Sequence, residues 1–401
     1  MNIAQSAFDA LNTTDPRPTA LVIGTGFGGL AAAIRLGAKG YRVHMLEKLD
    51  APGGRAYVYR QDGFTFDAGP TIVTAPFLLE ELWALCGKTF ADDVDLRPMD
   101  PFFRLHFDDG RIFDYCGDKA RNIAQIKTFS EDDAEGYERY LKASEERYKV
   151  GFEGLVDKPF DSLNALFQFL PQLIKLRSDR SVYRLVSRYI RDPQLRMTMS
   201  FHPLLIGGNP FSVTSVYTLI SYLEQRFGVW SAMGGTGSIV KGMASLIEGQ
   251  GGRIECNAEV DEILVKQGAV RGVRLADGRE LHSDLVVSNA DAAWTYRHLI
   301  PAEHRKRWTN RKIERSHYSN GLFVWYFGTR GQYPDVPHHS VIMGPRYQGL
   351  LDDIFKRKVL AEDFSLYLHR PTETDPSMAP EGCDASYALV PVPHLDPDVD
   401  W

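Results

Sequence analysis

A glycine-rich turn that follows a short apolar run at residues 20–23 constrains this 401-residue chain more than any other feature. Such a run is typical of a buried parallel strand, and Gly24, Gly26 and Gly29 follow it in the spacing GxGxxG, ahead of strong helix formers. The first glycine permits a tight turn, the second lets a pyrophosphate approach the backbone, and the third lets the helix pack on the strand. A second predicted strand ends at Glu47, whose carboxylate would accept hydrogen bonds from a ribose. The pattern predicts a β-α-β unit that binds a dinucleotide at a helix N-terminus.

A second glycine pair follows the predicted ribose-binding acid. Gly53 and Gly54 precede Arg55, and a guanidinium suits a diphosphate because it donates two parallel hydrogen bonds. The alternative for Arg55 is a surface salt bridge. A pyridine-nucleotide dehydrogenase does not require a Gly-Gly-Arg sequence at this position. The sequence resembles the diphosphate contact of the flavoproteins related to amine oxidases.

Composition excludes several classes of protein: at 44% hydrophobic and 24% charged, the chain is neither disordered nor fibrous. With 46 basic and 52 acidic residues the formal net charge is −6, so no nucleic-acid partner is predicted. No apolar run reaches the roughly 18 residues of a membrane-spanning helix. Residues 1–18 lack the apolar core of a signal peptide, and we expect a flexible N-terminal tail. The cysteines form no CxxC pair, which predicts a reducing compartment and no metal site: Cys86, Cys116, Cys256 and Cys383.

Several further motifs occur in a fixed order along the chain. They are GGRAY at residues 53–57, GFTFDAGPT at 63–71, GGNPF at 207–211, VW at 229–230, GGTG at 234–237, SNAD at 288–291 and FSLYLH at 364–369. Together they resemble the bacterial-type phytoene desaturases, FAD-dependent carotenoid desaturases of the amine-oxidase-like flavoproteins, from residue 20 onward. The resemblance implies FAD as cofactor. It also implies removal of two hydrogens from phytoene or a related acyclic carotenoid, with quinone or oxygen as electron acceptor.

The resemblance also assigns the flavin side of the site. It implies that Gly69, Pro70 and Thr71 lie beside the flavin ring, that Val260 contacts adenine through its backbone, and that Asn289 ends a strand near the cofactor. For Val260, an ordinary strand residue is an equal alternative. The complete predicted cofactor site is Gly24, Gly26, Gly29, Glu47, Gly54, Arg55, Gly69, Pro70, Thr71, Val260 and Asn289.

No catalytic residue is predicted. His202 and His339 are the two acid/base candidates, and each is interpreted as structural because a lone histidine usually is. Two other functions stay open beside phytoene desaturation. The first is a related desaturase that acts on another acyclic carotene or on a C30 precursor. The second is a non-catalytic, truncated flavoprotein remnant.

The predicted fold class is α/β, with a Rossmann-type FAD-binding domain, a mixed-sheet substrate domain and a helical, membrane-associating lobe. The segments are 19–90 with 230–300 for the FAD-binding domain, 91–130 with 301–401 for the substrate-domain sheet, and 131–229 for the lobe. The resemblance implies that family members continue past Trp401 with a segment that closes the FAD-binding domain. We therefore expect a fragment of a longer chain, with a damaged product as the alternative.

A basic segment within the lobe predicts contact with a membrane. Residues 172–191 carry six cations against one acid, and residues 163–174 are strongly apolar. In a continuous helix four of the cations would share one face: Arg180, Arg184, Arg188 and Arg191. A basic face beside an apolar segment is typical of a membrane interface, although a solvated helix face has the same pattern. We expect a peripheral protein on the cytoplasmic side of a membrane.

Overall fold

The computed structural model describes residues 15–154, 158, 170–395 and 399. Residues 1–14 of the predicted tail and 163–169 of the predicted apolar segment lie outside this range. In chain order the strands are β1 (Thr19–Ile23), β2 (Arg42–Leu46), β3 (Val58–Gln61), β4 (Phe64–Asp67), β5 (Leu96–Pro98), β6 (Phe103–His106), β7 (Ile112–Tyr115), β8 (Trp230–Ala232), β9 (Arg253–Glu255), β10 (Val260–Lys266), β11 (Ala269–Leu275), β12 (Glu280–His282), β13 (Leu285–Ser288), β14 (Gly321–Arg330), β15 (His339–Ile342), β16 (Leu366–His369) and β17 (Cys383–Val392). The α-helices include Phe27–Ala38, Pro76–Leu85, Phe90–Asp93, Lys119–Phe129, Asp133–Tyr148, Val182–Val186, Pro193–Ser200, Leu219–Phe227, Thr236–Gly249, Ala292–Trp294, Asn310–Glu314 and Tyr347–Asp352.

A four-stranded parallel sheet in the order β13-β1-β2-β9 forms one half of the molecule. Its central strands are mostly apolar because helices cover the sheet, and Val22 and Met45 have no exposed surface. The Phe27–Ala38 helix contributes Leu30 and Ile34 to the same core, which also contains Ile239 of the Thr236–Gly249 helix. Parallel strands end at one edge of a sheet, so the segments that follow β1, β2 and β13 meet there.

A six-stranded mixed sheet in the order β14-β17-β16-β15-β6-β7 forms the other half. Its strands come from residues 103–115 and 321–392, and β15 pairs with β6 in parallel while the other neighbours are antiparallel. Phe103 and Phe113 from this sheet share a core with Tyr137 and Tyr140 of the Asp133–Tyr148 helix. That core joins the sheet to the helical lobe.

The continuous helix predicted over residues 172–191 is wrong. Arg177 leaves helical geometry with a φ of +53°, and Ser181 pairs with Thr214 in an isolated β-bridge ahead of the short Val182–Val186 helix. The backbone here bonds across the lobe, which a sequence periodicity does not register. In the described part of the chain, no helix combines the length and hydropathy needed to cross a membrane.

Candidate cofactor site

The glycine turn after β1 presents a helix N-terminus without a side-chain cap. Gly24 adopts a φ of +87°, which favours glycine, and its N–H donates to the carbonyl of Leu46 at 2.8 Å. Gly26 is extended at φ −62° and ψ 166°, and no side chain caps the Phe27–Ala38 helix that follows. The first N–H groups of a helix need partners from outside it. This end of the helix therefore has the donors that an anion binds.

Asn289 lies directly over this turn. It follows β13, and its N–H donates to the carbonyl of Ile23 at 2.8 Å. A Cβ added to Gly26 would lie 3.0 Å from Asn289 Nδ2, and one added to Gly28 would lie 2.6 Å from Asn289 Oδ1. A Cβ on Gly29 would overlap the carbonyl oxygen of Gly24. The glycines are thus required by close approach, and the structure places the predicted Asn289 beside them.

Glu47 lies where the ribose-binding acid is predicted, at the end of β2. Its side chain is buried, and its carboxylate accepts hydrogen bonds from Thr25 N at 2.9 Å, Thr25 Oγ1 at 2.5 Å and Leu49 N at 3.0 Å. Thr25 Oγ1 also accepts from Gly53 N at 3.2 Å. A carboxylate has about four lone-pair positions, so Glu47 retains capacity for a ribose hydroxyl while it holds the glycine turn in place.

The second glycine pair packs against the first turn. Gly54 has a φ of +56°, and a Cβ there would lie 3.2 Å from the Cα of Gly26. Arg55 is exposed, and the structure records no ion pair for it within the described residues. A Cβ on Gly69 would overlap the carbonyl oxygen of Arg55, which brings the Asp67–Thr71 loop to the same place.

Asp67 joins the predicted flavin loop to the GGTG motif at residues 234–237. The carboxylate is 3% exposed and accepts hydrogen bonds from Thr236 N at 3.0 Å and Thr236 Oγ1 at 3.1 Å, at the start of the Thr236–Gly249 helix. Gly235 allows this contact, since a Cβ there would lie 2.5 Å from Asp67 Oδ1. Burial raises the pKa of the Asp67 carboxyl to about 6, and the hydrogen bonds from Thr236 oppose that shift. The GGTG motif is also held by Asp375, which accepts a hydrogen bond from Gly234 N at 2.6 Å.

Thr71 connects this loop to the mixed sheet. It is buried, and its hydroxyl lies 3.3 Å from the hydroxyl of Tyr367 and 3.5 Å from that of Tyr387. Tyr326 of β14 donates to the carbonyl of Ala68 at 2.8 Å. The loop is thereby fixed by residues more than 250 positions further along the chain. Pro70, between Gly69 and Thr71, is exposed.

Val260 differs from the other predicted residues because its side chain belongs to a core. It is 8% exposed and packs in a cluster with Ile23 and Leu46. The segment before it runs beside Glu47, the predicted ribose-binding acid, where Ala258 N donates to the carbonyl of Glu47 at 2.8 Å. A cofactor contact at Val260 would have to use its backbone, as the resemblance implies.

The two histidine candidates lie in different surroundings. His202 is buried in the helical lobe with its Nε2 3.0 Å from Glu224 Oε2, and neither side chain exceeds 2% exposure. His339 lies in the mixed sheet against His338 and His369. Sequence reasoning missed Thr25 as a site residue and Gly28 as a fourth glycine under Asn289. The motifs that contain Asp67 and Thr236 were identified, but the hydrogen bond between these two residues was not predicted. Only Gly28 had a local signal, since it continues the glycine run.

The donor set fits a dinucleotide. An uncapped helix N-terminus, glycines without room for a side chain and the exposed guanidinium of Arg55 suit a diphosphate, and the buried acid Glu47 beside them suits a ribose. FAD has both parts. Gly24, Gly26 and Gly29 with Arg55 would hold its diphosphate, and Glu47 its ribose.

Comparisons with known proteins agree with this geometry. Residues 27–381 match the family described as flavin containing amine oxidoreductase. The chain is 51% identical over 387 residues to the neurosporene-forming phytoene desaturase of Cereibacter sphaeroides. The aligned residues cover 95% of this chain and 75% of that protein. It is 49% identical over 382 residues to the lycopene-forming phytoene desaturase of Pseudescherichia vulneris, covering 95% and 78%. A crystal structure of an oxidoreductase from Methanosarcina mazei shares the fold, with a TM-score of 0.64 at 18% identity over 95% of this chain and 80% of that one.

Proposed function

Because the chain belongs to the flavin-containing amine oxidoreductase family, we propose that it is an FAD-dependent desaturase of phytoene or a closely related acyclic carotene. The predicted α/β fold, the FAD cofactor and the oxidoreductase activity on carbon–carbon bonds are confirmed by the family and by its relatives. The observation that carries the substrate class is the 51% identity to a phytoene desaturase across 95% of this chain. Relatives that form neurosporene and lycopene lie at nearly equal identity, 51% and 49%, so the proposal names the substrate and not the final product.

In this reaction the chain's own residues bind FAD and orient the carotene beside it. FAD, when bound, supplies the acceptor for the two hydrogens that leave the carotene. Glu47 and the glycine turn hold the adenosine diphosphate end, as their geometry allows. The Asp67–Thr71 loop is fixed at both ends, by Thr236 and by Tyr367, and so presents a rigid wall where the resemblance places the flavin ring. A carotene has no polar group, so its placement depends on shape and apolar contact.

Reconstitution tests the function. We expect the purified chain, loaded with FAD and mixed with phytoene in liposomes, to form products whose absorption moves to longer wavelength as conjugation extends. Omission of FAD is the matched control. A bound pyridine nucleotide in place of flavin, or flavin-loaded protein that leaves phytoene unchanged under both air and added quinone, would contradict the proposal. The two acceptor conditions also separate quinone from oxygen as the final oxidant.

We further propose that the protein works as a peripheral membrane protein on the cytoplasmic side, where its lipid-soluble substrate dissolves. In the lobe, Arg184 and Arg188 are exposed while Val182, Leu185 and Val186 beside them are buried. The neighbouring segments expose four large apolar side chains: Leu170, Ile174, Leu205 and Ile206. Exposed cations and exposed apolar residues within one lobe are typical of a protein surface that contacts anionic lipid.

Cosedimentation with anionic vesicles tests this surface. Neutralising Arg184 and Arg188 to glutamine is expected to weaken binding by about 1 kcal/mol per residue, roughly 30-fold together at low salt. The matched control neutralises Arg311 and Arg315, which are exposed outside the lobe. Equal sedimentation of the two double variants at low salt would refute the electrostatic part of the proposal.

A further inference from the structure

Three histidines meet inside the mixed sheet, apart from the glycine turn. His339 of β15 pairs with His369 of β16, and His338 immediately precedes β15. Their exposed fractions are 3% for His338, 0% for His339 and 1% for His369. One ligand nitrogen from each ring lies within 4.8 Å of the other two. Neither the proposed function nor the cofactor site uses this cluster.

The outward nitrogens of two rings have hydroxyl partners, and for His338 the partner sets the tautomer. His338 Nδ1 lies 2.7 Å from Thr374 Oγ1, whose hydroxyl donates to Glu373 Oε2 at 2.9 Å. Thr374 therefore accepts from His338 Nδ1–H, which leaves the lone pair of His338 on Nε2. His339 Nδ1 lies 2.6 Å from the hydroxyl of Tyr367, which can donate in turn to the Thr71 hydroxyl. Partners of this kind orient histidines that ligate metals.

The remaining nitrogens are incompletely satisfied. His338 Nε2 and His369 Nε2 are 3.0 Å apart and share one proton, while His339 Nε2 and His369 Nδ1 are buried with no hydrogen-bond partner among the described residues. Buried polar atoms without partners are rare in folded proteins. A cation between the rings would replace the proton between His338 Nε2 and His369 Nε2, and it would also give His339 Nε2 a partner.

The cation next to the cluster is Arg370, which follows His369 directly. Its guanidinium is paired with buried Asp384 at 3.2 Å, so its charge is partly offset where a metal ion would bind.

We propose that His338, His339 and His369 form a binding site for a divalent transition-metal ion, for which zinc is the best fit. Zinc takes imidazole nitrogens at about 2.0–2.1 Å in tetrahedral geometry, which sets the nitrogens about 3.4 Å apart, and a water or hydroxide completes the four ligands. In the structure, His338 Nε2 and His369 Nε2 are 3.0 Å apart and the ligand nitrogens all lie within 4.8 Å of one another, so the separation that zinc needs falls between these two distances. The sequence analysis predicted no metal site because the cysteines form no CxxC pair. Cysteine spacing gives no information about histidines that two separate strands bring together. The assignment does not depend on the proposed function.

Metal content of the whole chain tests the site. Because the ligands are buried, zinc has to be present while the protein folds, so the chain is produced or refolded with zinc and washed with a weak chelator. We expect about one zinc per chain by mass spectrometry, and a visible absorption band of tetrahedral cobalt when cobalt replaces zinc. His339→Gln and His369→Gln should lose both signals. His106→Gln, on β6 of the same sheet, is the matched control and should keep them.

Tyr367→Phe keeps all three ligands and removes the hydroxyl that orients His339. It is expected to weaken zinc affinity by about 10–100-fold. A folded wild-type chain without metal after zinc-supplemented folding would overturn the proposal, as would cluster variants that retain as much metal as His106→Gln. If the ligand variants fail to fold, the wild-type metal content and the Tyr367→Phe affinity still decide.

Discussion

Replacing Gly29 by alanine tests whether contact between the helix and β1 builds the cofactor site. The added methyl group would overlap the carbonyl oxygen of Gly24 and lie 3.1 Å from the Cβ of Asn289. Gly24 O belongs to the backbone at the end of β1, so it cannot rotate away and the helix has to shift. Overpacking of this kind costs about 1–3 kcal/mol, and the better helix propensity of alanine returns up to about 1 kcal/mol. With the full gain, we expect the free energy of unfolding to fall by up to about 2 kcal/mol.

Two other glycines make the comparison selective. A Cβ on Gly28 would meet only the side chain of Asn289, at 2.6 Å, and that exposed side chain can turn away. A Cβ on Gly249, at the end of another helix, would meet nothing within 4 Å. Urea unfolding followed by circular dichroism should therefore rank Gly249→Ala most stable, then Gly28→Ala, then Gly29→Ala. FAD titration should show the weakest binding for Gly29→Ala, and equal stability of Gly29→Ala and Gly249→Ala would refute the reasoning.

Two further predictions concern acids of the site. Glu47→Ala should weaken FAD binding by about 1.5–3 kcal/mol for each charge-assisted hydrogen bond lost, measured by flavin fluorescence, and an unchanged dissociation constant would show that Glu47 does not face the ribose. Because folding raises the pKa of Asp67 from 3.8 to about 6, the folded state holds an extra proton between these values, and the free energy of unfolding falls by about 3 kcal/mol as pH rises through that window. Asp67→Asn should remove this contribution, and urea unfolding of both proteins across the window checks it.

The parts of the fold with strong local signals were predictable. The β-α-β unit has an apolar run, a glycine turn and a helix former in direct succession, and all three appear as β1, the turn and the Phe27–Ala38 helix. The Asp109-Gly110 turn also predicts the hairpin that β6 and β7 form. In each case the partner is a near neighbour in the chain, so short-range rules apply.

Two features that depend on distant partners were not predictable. β15 is a strand because it lies between β6 and β16, and its polar start at His339-Ser340 has no strand periodicity. The helix predicted over residues 172–191 failed for the same reason, since Thr214 supplies a bridge to Ser181. The spacing of apolar residues predicts which face of an element is buried. It does not predict a backbone hydrogen bond to a distant segment.

The cofactor site divides in the same way. Gly24 and Glu47 are predictable because both lie within one β-α-β unit, in which the strand ends fix their positions. The bond from Asp67 to Thr236 spans 169 positions, and the contact between Thr71 and Tyr367 spans 296. Only a resemblance to whole proteins pointed to Thr71, because no local rule relates residues so far apart.

One hydroxyl group links the proposed metal site to the predicted flavin loop. Tyr367 lies 2.6 Å from His339 Nδ1 and 3.3 Å from the hydroxyl of Thr71. A metal on His339 would fix its ring, and with it the direction in which Tyr367 donates. Thr71 would then be held in one rotamer, so zinc should tighten FAD binding, and by linkage FAD should tighten zinc binding by the same factor. Equal FAD affinity in zinc-loaded and zinc-free protein would show that this hydrogen-bonded path carries no coupling. Tyr367→Phe should remove any coupling found, because it breaks both contacts.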